Sequence, residues 1–143
     1  MLTEKNENVG RLLRQASSNL TKKLDEAASH YGLTSQQMSI IDFLYDKRDE
    51  KIIQMDVERE LKIRRSTTTT LLQRMEEKKL ITREAVKSDK RQKTLNLTDE
   101  ALSLVKIIKN YTAENDKRLL SNLTESEISA VKKFLKKVVK ENQ

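Results

Sequence analysis

Two capping boxes and a third Thr-led start divide this chain into helices. Thr34-Ser35-Gln36-Gln37 places Thr at an N-cap and Gln at N3, with Leu33 and Met38 at the positions of a hydrophobic staple. Thr124-Glu125-Ser126-Glu127 repeats the device, with Leu123 and Ile128 as the staple. Thr98-Asp99-Glu100 puts acidic residues in a first turn, where the helix dipole favours them, between Leu97 and Leu102. These starts predict helices over 35–46, 99–120 and 125–140. An earlier helix, near 6–29, carries Leu13, Ser17, Leu20, Leu24 and Ala27 on one stripe and ends by Gly32. Pro is absent and Gly occurs twice, which argues against a turn-rich sandwich or barrel.

The middle of the chain reads as two short helices and a hairpin. Val57 and Leu61 fall at helical spacing in a helix over 54–60, and a second helix is expected over 65–78. Ile81–Val86 and Gln92–Leu97 then alternate, with Leu95 and Leu97 on one face and Thr94 and Asn96 on the other. Lys87-Ser88-Asp89-Lys90 is the expected loop. The fold class is therefore mainly α with a small β-hairpin. Three helices followed by a two-stranded wing form a winged helix-turn-helix core, here flanked by N- and C-terminal helices.

The stretch 64–70, RRSTTTT, tests that reading. Four β-branched threonines lean towards strand in isolation. On a helical period, however, Thr68, Leu71, Leu72 and Met75 line up as one apolar stripe. As a strand, neither face is cleanly apolar. On the helix, Ser66, Thr69, Thr70, Gln73 and Arg74 lie opposite the stripe, Thr67 flanks them, and Arg64 and Arg65 stand at the N-terminal end. Hydroxyls and guanidiniums of this kind reach phosphates and base edges, and helix N-termini attract phosphate.

Charge placement points the same way. From Lys62 to Lys93 there are eleven basic residues against four acidic ones, so this window holds the whole formal net charge of +7. Such a concentration favours a polyanion partner, above all nucleic acid. The absence of Cys excludes disulfides, thiol catalysis and thiolate metal sites, and the single His argues against a His-based metal cluster. No nucleophile–base pair or phosphate loop is legible, so an enzyme is not expected and no cofactor is implied. No apolar run approaches the roughly 18 residues of a membrane span. The N-terminal MLTEKNENVGR lacks the apolar core of a signal peptide, so a soluble, cytoplasmic protein is expected.

The run 53–98, IQMDVERELKIRRSTTTTLLQRMEEKKLITREAVKSDKRQKTLNLT, resembles the DNA-binding core of the MarR family of bacterial transcription regulators. Three motifs carry the resemblance. Ser66-Thr67-Thr68-Thr69 with Leu71-Leu72 matches the recognition helix. Met75 to Arg83 matches the segment that leaves it. Asp89-Lys90-Arg91 ahead of Leu95-Asn96-Leu97-Thr98 matches the wing. The family's usual Gly before Leu-Ile is Lys79, its usual Val in the recognition helix is Thr68, and a usual small residue in the preceding helix is Glu58. Thr68 then needs a partner for its hydroxyl, such as a carbonyl one turn back.

The resemblance implies a recognition helix in the major groove and a wing Arg in the flanking minor groove. Ser66, Thr67, Thr69 and Thr70 would face bases or nearby phosphates, with Arg64 and Arg65 at the helix entrance and Arg74 near phosphate. Lys90 and Arg91 would sit on the wing, Asp89 orienting Arg91. Residues 1–32 and 99–143 would dimerise and 33–98 would bind DNA. A two-fold dimer places its recognition helices about 34–36 Å apart and reads a pseudo-palindromic operator. The expected role is a repressor released by a small aromatic effector near His30, Tyr31, Met38 and Phe43, although these residues also suit a core or hinge. Competing readings are a non-regulatory DNA-binding protein of the same fold and a helical adaptor that uses its basic face on an acidic protein. The last helix, with Lys132, Lys133, Lys136, Lys137 and Lys140, also suits a membrane surface, although no membrane partner is expected.

Overall fold

The computed structural model describes residues 7–141. Its elements follow in the order α1 (Val9–Ser29), α2 (Ser35–Asp46), α3 (Gln54–Leu61), α4 (Arg65–Glu77), β1 (Ile81–Val86), β2 (Asp89–Leu97), α5 (Asp99–Leu120) and α6 (Glu125–Lys140). The expected mainly helical fold with one hairpin is what forms. The chain makes two compact units, one up to Val105 and one from Lys106 onward, so the division falls inside α5.

Side-chain hydrogen bonds set the helix starts except that of α4, whose N-cap residue Arg64 makes none. The Asn8 side chain accepts from Arg11 N at 2.8 Å and opens α1. Thr34 and Gln37 close their capping box in both directions, each bond 3.1 Å. Thr124 and Glu127 do the same at α6. Ile53 has no acceptor to offer at the start of α3, but Asp56 Oδ2 takes its N–H at 2.9 Å. Thr98 Oγ1 accepts from Ala101 N at 3.2 Å and donates to the Lys79 carbonyl at 2.6 Å, so one hydroxyl opens α5 and fastens the end of α4.

The ends of α1, α3 and α4 share a different device. Gly32, Lys62 and Lys79 all have positive φ, at 69°, 56° and 60°. After α4, Leu80 N bonds the Met75 carbonyl and Lys79 N the Glu76 carbonyl, both at 2.9 Å. This is a Schellman turn, and its apolar pair, Met75 and Leu80, is buried. Lys79 thus occupies the left-handed conformation that favours Gly, and Lys62 does so after α3.

The core of the first unit gathers Met38, Ile40, Ile41 and Leu44 from α2, Val57 from α3, Leu71, Leu72 and Met75 from α4, and Ile81 and Leu95 from the hairpin. Each element supplies the stripe or face that its period predicts. α2 touches α1, α3, α4 and β2 and so forms the centre of this unit. Lys78, just past α4, donates from Nζ to the Gly32 carbonyl at 2.8 Å, which ties the end of α4 to the α1–α2 corner.

The hairpin differs from expectation at its tip. β2 begins at Asp89 rather than Gln92, and the turn is Lys87-Ser88. Ile81 to Ala85 pair with Leu97 to Lys93 in strict register, and then Val86 pairs with Asp89. Residues 90–92 are left outside the pairing as a bulge. A third strand-like contact, not legible in the sequence, joins Ile53 to Thr94, and Leu95 N donates to the Ile52 carbonyl at 2.8 Å. The wing is therefore sewn to the entrance of α3. In the second unit, no residue of α6 is buried, and Phe134, Leu135 and Val139 are exposed. Among the described residues, no helix is long and apolar enough to cross a membrane.

Candidate nucleic-acid interface

The threonine run is helical, and its residues divide as the stripe requires. Thr68 is fully buried, whereas Ser66, Thr67 and Thr70 are exposed and Thr69 is half-buried. Burial alone would strand the Thr68 hydroxyl. It donates instead to the Arg64 carbonyl one turn back, at 2.9 Å. Thr69 does the same to Arg65 at 2.9 Å, and Thr70 to Ser66 at 3.2 Å. This back-bonding accommodates β-branched hydroxyl side chains in a helix otherwise poor in propensity.

Arg64 precedes α4 as its N-cap residue, and Arg65 is its first residue. The Arg65 side chain is exposed, and its Nε lies 3.8 Å from Glu58 Oε2. Arg74 stands further along the same exposed face and shares a cleft with Ser66, Thr67 and Thr70. At the wing, Asp89 Oδ1 accepts from Arg91 N at 3.0 Å and lies 3.5 Å from Arg91 Nε. The Arg91 side chain is still 94% exposed. Asp89 thus shapes the backbone of the bulge and leaves the guanidinium in solvent. The backbone of Lys90 belongs to β2; its side chain lies outside the described part of the structure.

Between the start of α3, the start of α4 and the wing runs a cleft of about 630 Å³. Arg65, Arg83, Arg91 and Lys93 line it, together with Gln54. Arg65, Arg83 and Arg91 each stand within 4 Å of a carboxylate, of Glu58, Glu76 and Asp89, so the cleft gathers basic side chains whose charge is partly compensated from outside its lining. One unit thus presents a hydroxyl-rich helix face, arginines at that helix's entrance and a solvent-exposed arginine on a hairpin beside it.

Residues 31–92 match the family model described as MarR family. The chain is also 40% identical to a transcription regulator MarR from Oenococcus oeni PSU-1, whose structure it matches with a TM-score of 0.81 over 94% of this chain and 100% of that one. The chain belongs to the MarR family. As a MarR-family protein it is a transcription regulator with a winged helix-turn-helix. It is similar as well to MepR of S. aureus, solved as a MepR–DNA complex, with 28% identity, a TM-score of 0.88, and coverage of 96% of this chain and 100% of that one. Among sequences, it is 24% identical over 138 residues to the HTH-type transcriptional regulator MhqR of Bacillus subtilis (strain 168), covering 96% of this chain and 93% of that protein.

The four residues named for an effector differ in their exposure. Met38 is a core residue, and Tyr31 and His30 are exposed at the α1–α2 corner. Phe43 is half-buried and borders a cleft with Asp42, Asp46 and Glu60 that none of the other three lines. Conversely, the sequence reading missed Gln54 and Arg83. Gln54 Nε2 donates to Thr69 Oγ1 at 2.8 Å, and Arg83 lines the cleft beside the wing. A polar residue at the first position of the helix before the recognition helix was the available signal for Gln54. For Arg83 it was an inward-facing strand position occupied by a charge.

Proposed function

We propose that this MarR-family protein is a sequence-specific double-stranded-DNA-binding repressor, cytoplasmic and not an enzyme. Its recognition helix α4 enters the major groove through Ser66, Thr67, Thr69 and Thr70, and Arg64, Arg65 and Arg74 hold phosphates. Arg91 enters the flanking minor groove, where narrow A·T-rich sequence strengthens the negative potential. The observation that carries this reading is Arg91 itself: a guanidinium 94% exposed on a built bulge, in the same unit as the hydroxyl face of α4.

The protein acts as a homodimer, with residues 1–32 and 99–143 as the dimerising regions and 33–98 as the DNA-binding region. Exposed apolar residues on α1 (Val9, Leu12, Leu20) and on α6 (Val131, Phe134, Leu135, Val139) support this. A two-fold dimer then reads a pseudo-palindrome. A small aromatic effector releases the DNA; of the four residues named for it, His30, Tyr31 and Phe43 offer rings outside the buried core. Selection of duplexes from a random pool tests the proposal. An enriched pseudo-palindrome with A·T-rich flanks is the expected result, and a pool that does not converge overturns it.

A further inference from the structure

We infer that Gln54 and Thr69 form a thymine-methyl-reading subsite, in which Gln54 is a positioning residue that fixes Thr69 so that its methyl group meets the base edge. The inference rests on the proposed placement of α4 in the major groove and deepens it.

A threonine hydroxyl has one hydrogen and two lone pairs. On Thr69 the hydrogen goes to the Arg65 carbonyl at 2.9 Å. One lone pair accepts from Gln54 Nε2 at 2.8 Å. The same amide nitrogen lies 3.4 Å from the Arg65 carbonyl, so Gln54, Thr69 and Arg65 close a small ring. The bond to the Arg65 carbonyl would have to break before Thr69 could turn its hydroxyl proton outward. What it retains for DNA is one lone pair and a methyl group.

The chemistry of the major groove decides what that remainder can read. Guanine presents only acceptors there, and an oxygen whose hydrogen is engaged cannot donate to them. Thymine alone among the four bases presents a methyl, to which a threonine methyl is complementary. The remaining lone pair of Thr69 can accept from an adenine or cytosine amino group, so the methyl is the feature that singles out thymine.

Thr70 also gives its hydrogen to a carbonyl, that of Ser66 at 3.2 Å, but the residues at the start of the row behave differently. Among the described residues, the hydroxyls of Ser66 and Thr67 make no hydrogen bond to protein, so their protons remain available for phosphate oxygens or base acceptors. The carbonyl one turn before Thr67 belongs to Ile63, which precedes α4. The hydroxyl row therefore splits into donors at its start and a methyl reader at Thr69. Gln54 is half-buried at the first position of α3, an element that otherwise serves to support α4.

The test uses the full chain and its selected operator, with each thymine replaced in turn by deoxyuridine, which removes only the methyl. For the wild type, one position in each half-site should lose about fourfold in affinity, the effect of one buried methyl group. Thr69→Ser keeps the hydroxyl and lacks the methyl. It should bind the thymine and deoxyuridine duplexes equally at that position and keep the wild-type ratios elsewhere. Gln54→Met fills a similar volume without an amide. Its ratio at that position should fall towards one while its thermal unfolding and the other ratios stay as in the wild type. A wild type indifferent to deoxyuridine everywhere, or a Thr69→Ser profile equal to the wild-type profile, overturns the subsite. A full ratio in Gln54→Met overturns the role of Gln54. Failure of the underlying reading looks different: no duplex would then be preferred over random sequence.

Discussion

Arg83 Nε lies 2.7 Å from Glu76 Oε1, so the first wing strand and the last turn of α4 are held together by opposite charges. The contact is one of charge more than of aligned hydrogen bonding. Arg83 Nε and Nη2 are both sealed from water, and neither meets hydrogen-bond geometry. The pair is also lopsided, because the Arg83 side chain is 17% exposed and that of Glu76 41%. Its place is functional in the proposed reading, since it joins the two parts that enter the DNA grooves.

That asymmetry predicts unequal costs. Glu76→Ala leaves a mostly buried guanidinium without its counter-charge and should destabilise by about 2 kcal/mol. Arg83→Met leaves a carboxylate that can turn to water and keeps the apolar packing, so about 1 kcal/mol is expected. Urea unfolding of the two variants checks the order. Equal losses would mean that the guanidinium is better solvated than its burial implies.

Lys62 and Lys79 supply a second prediction. Both hold φ near +60°, which is strained for an L-residue and free for Gly. Lys79→Gly and Lys62→Gly should each stabilise by about 0.5–1 kcal/mol, less than the full strain because Gly also loosens the unfolded chain. A rise in the urea midpoint with unchanged slope is the expected observation.

These same residues mark what was readable in the sequence. The helices were legible because their caps and apolar stripes are local: Thr34, Thr124 and the Thr68–Met75 stripe each declare an element within one or two turns. The inward turn of Thr68 followed from its period, and its bond to the Arg64 carbonyl from its chemistry. The left-handed Lys62 was not legible, because nothing local distinguishes it from any lysine after a helix. The wing tip was misplaced by three residues, since alternation stops at the bulge and a two-residue turn leaves little pattern to read. Gln54 on Thr69, Lys78 on Gly32 and Ile53 beside Thr94 join segments far apart in sequence, and no periodicity encodes such meetings.

Arg91 should separate stability from binding. Its ion pair with Asp89 is exposed, and such pairs contribute little to folding. Arg91→Ala should therefore leave thermal unfolding unchanged while weakening operator binding, lowering the salt slope by about one and relaxing preference for A·T flanks. Asp89→Ala, which removes the bond to Arg91 N, should show a smaller version of the same pattern. Anisotropy titrations with A·T- and G·C-flanked operators distinguish these outcomes.

Asp25 gives the fold a pH dependence. Its carboxylate takes the Ser35 N–H at 2.9 Å, and the hydroxyl and N–H of Ser35 hold its pKa below the usual carboxylate value. The unfolded chain therefore binds the proton first as pH falls. The contribution is complete above the unfolded pKa of about 4 and disappears as pH drops through the lower folded value. Asp25→Ala should cost about 0.5 kcal/mol at neutral pH, reduced by solvent screening, and the two proteins should converge once pH has fallen below that lowered folded value. Urea midpoints across that range provide the check.

In the proposed reading, α4 and the wing together read a particular duplex. The most direct measurement is the affinity for the selected operator and for random duplex of equal length, taken across a series of salt concentrations. Both affinities should fall steeply with salt as counterions are released, and the operator should bind at least about a thousandfold more tightly at physiological salt. Equal affinity for the two duplexes, or binding indifferent to salt, would contradict the account.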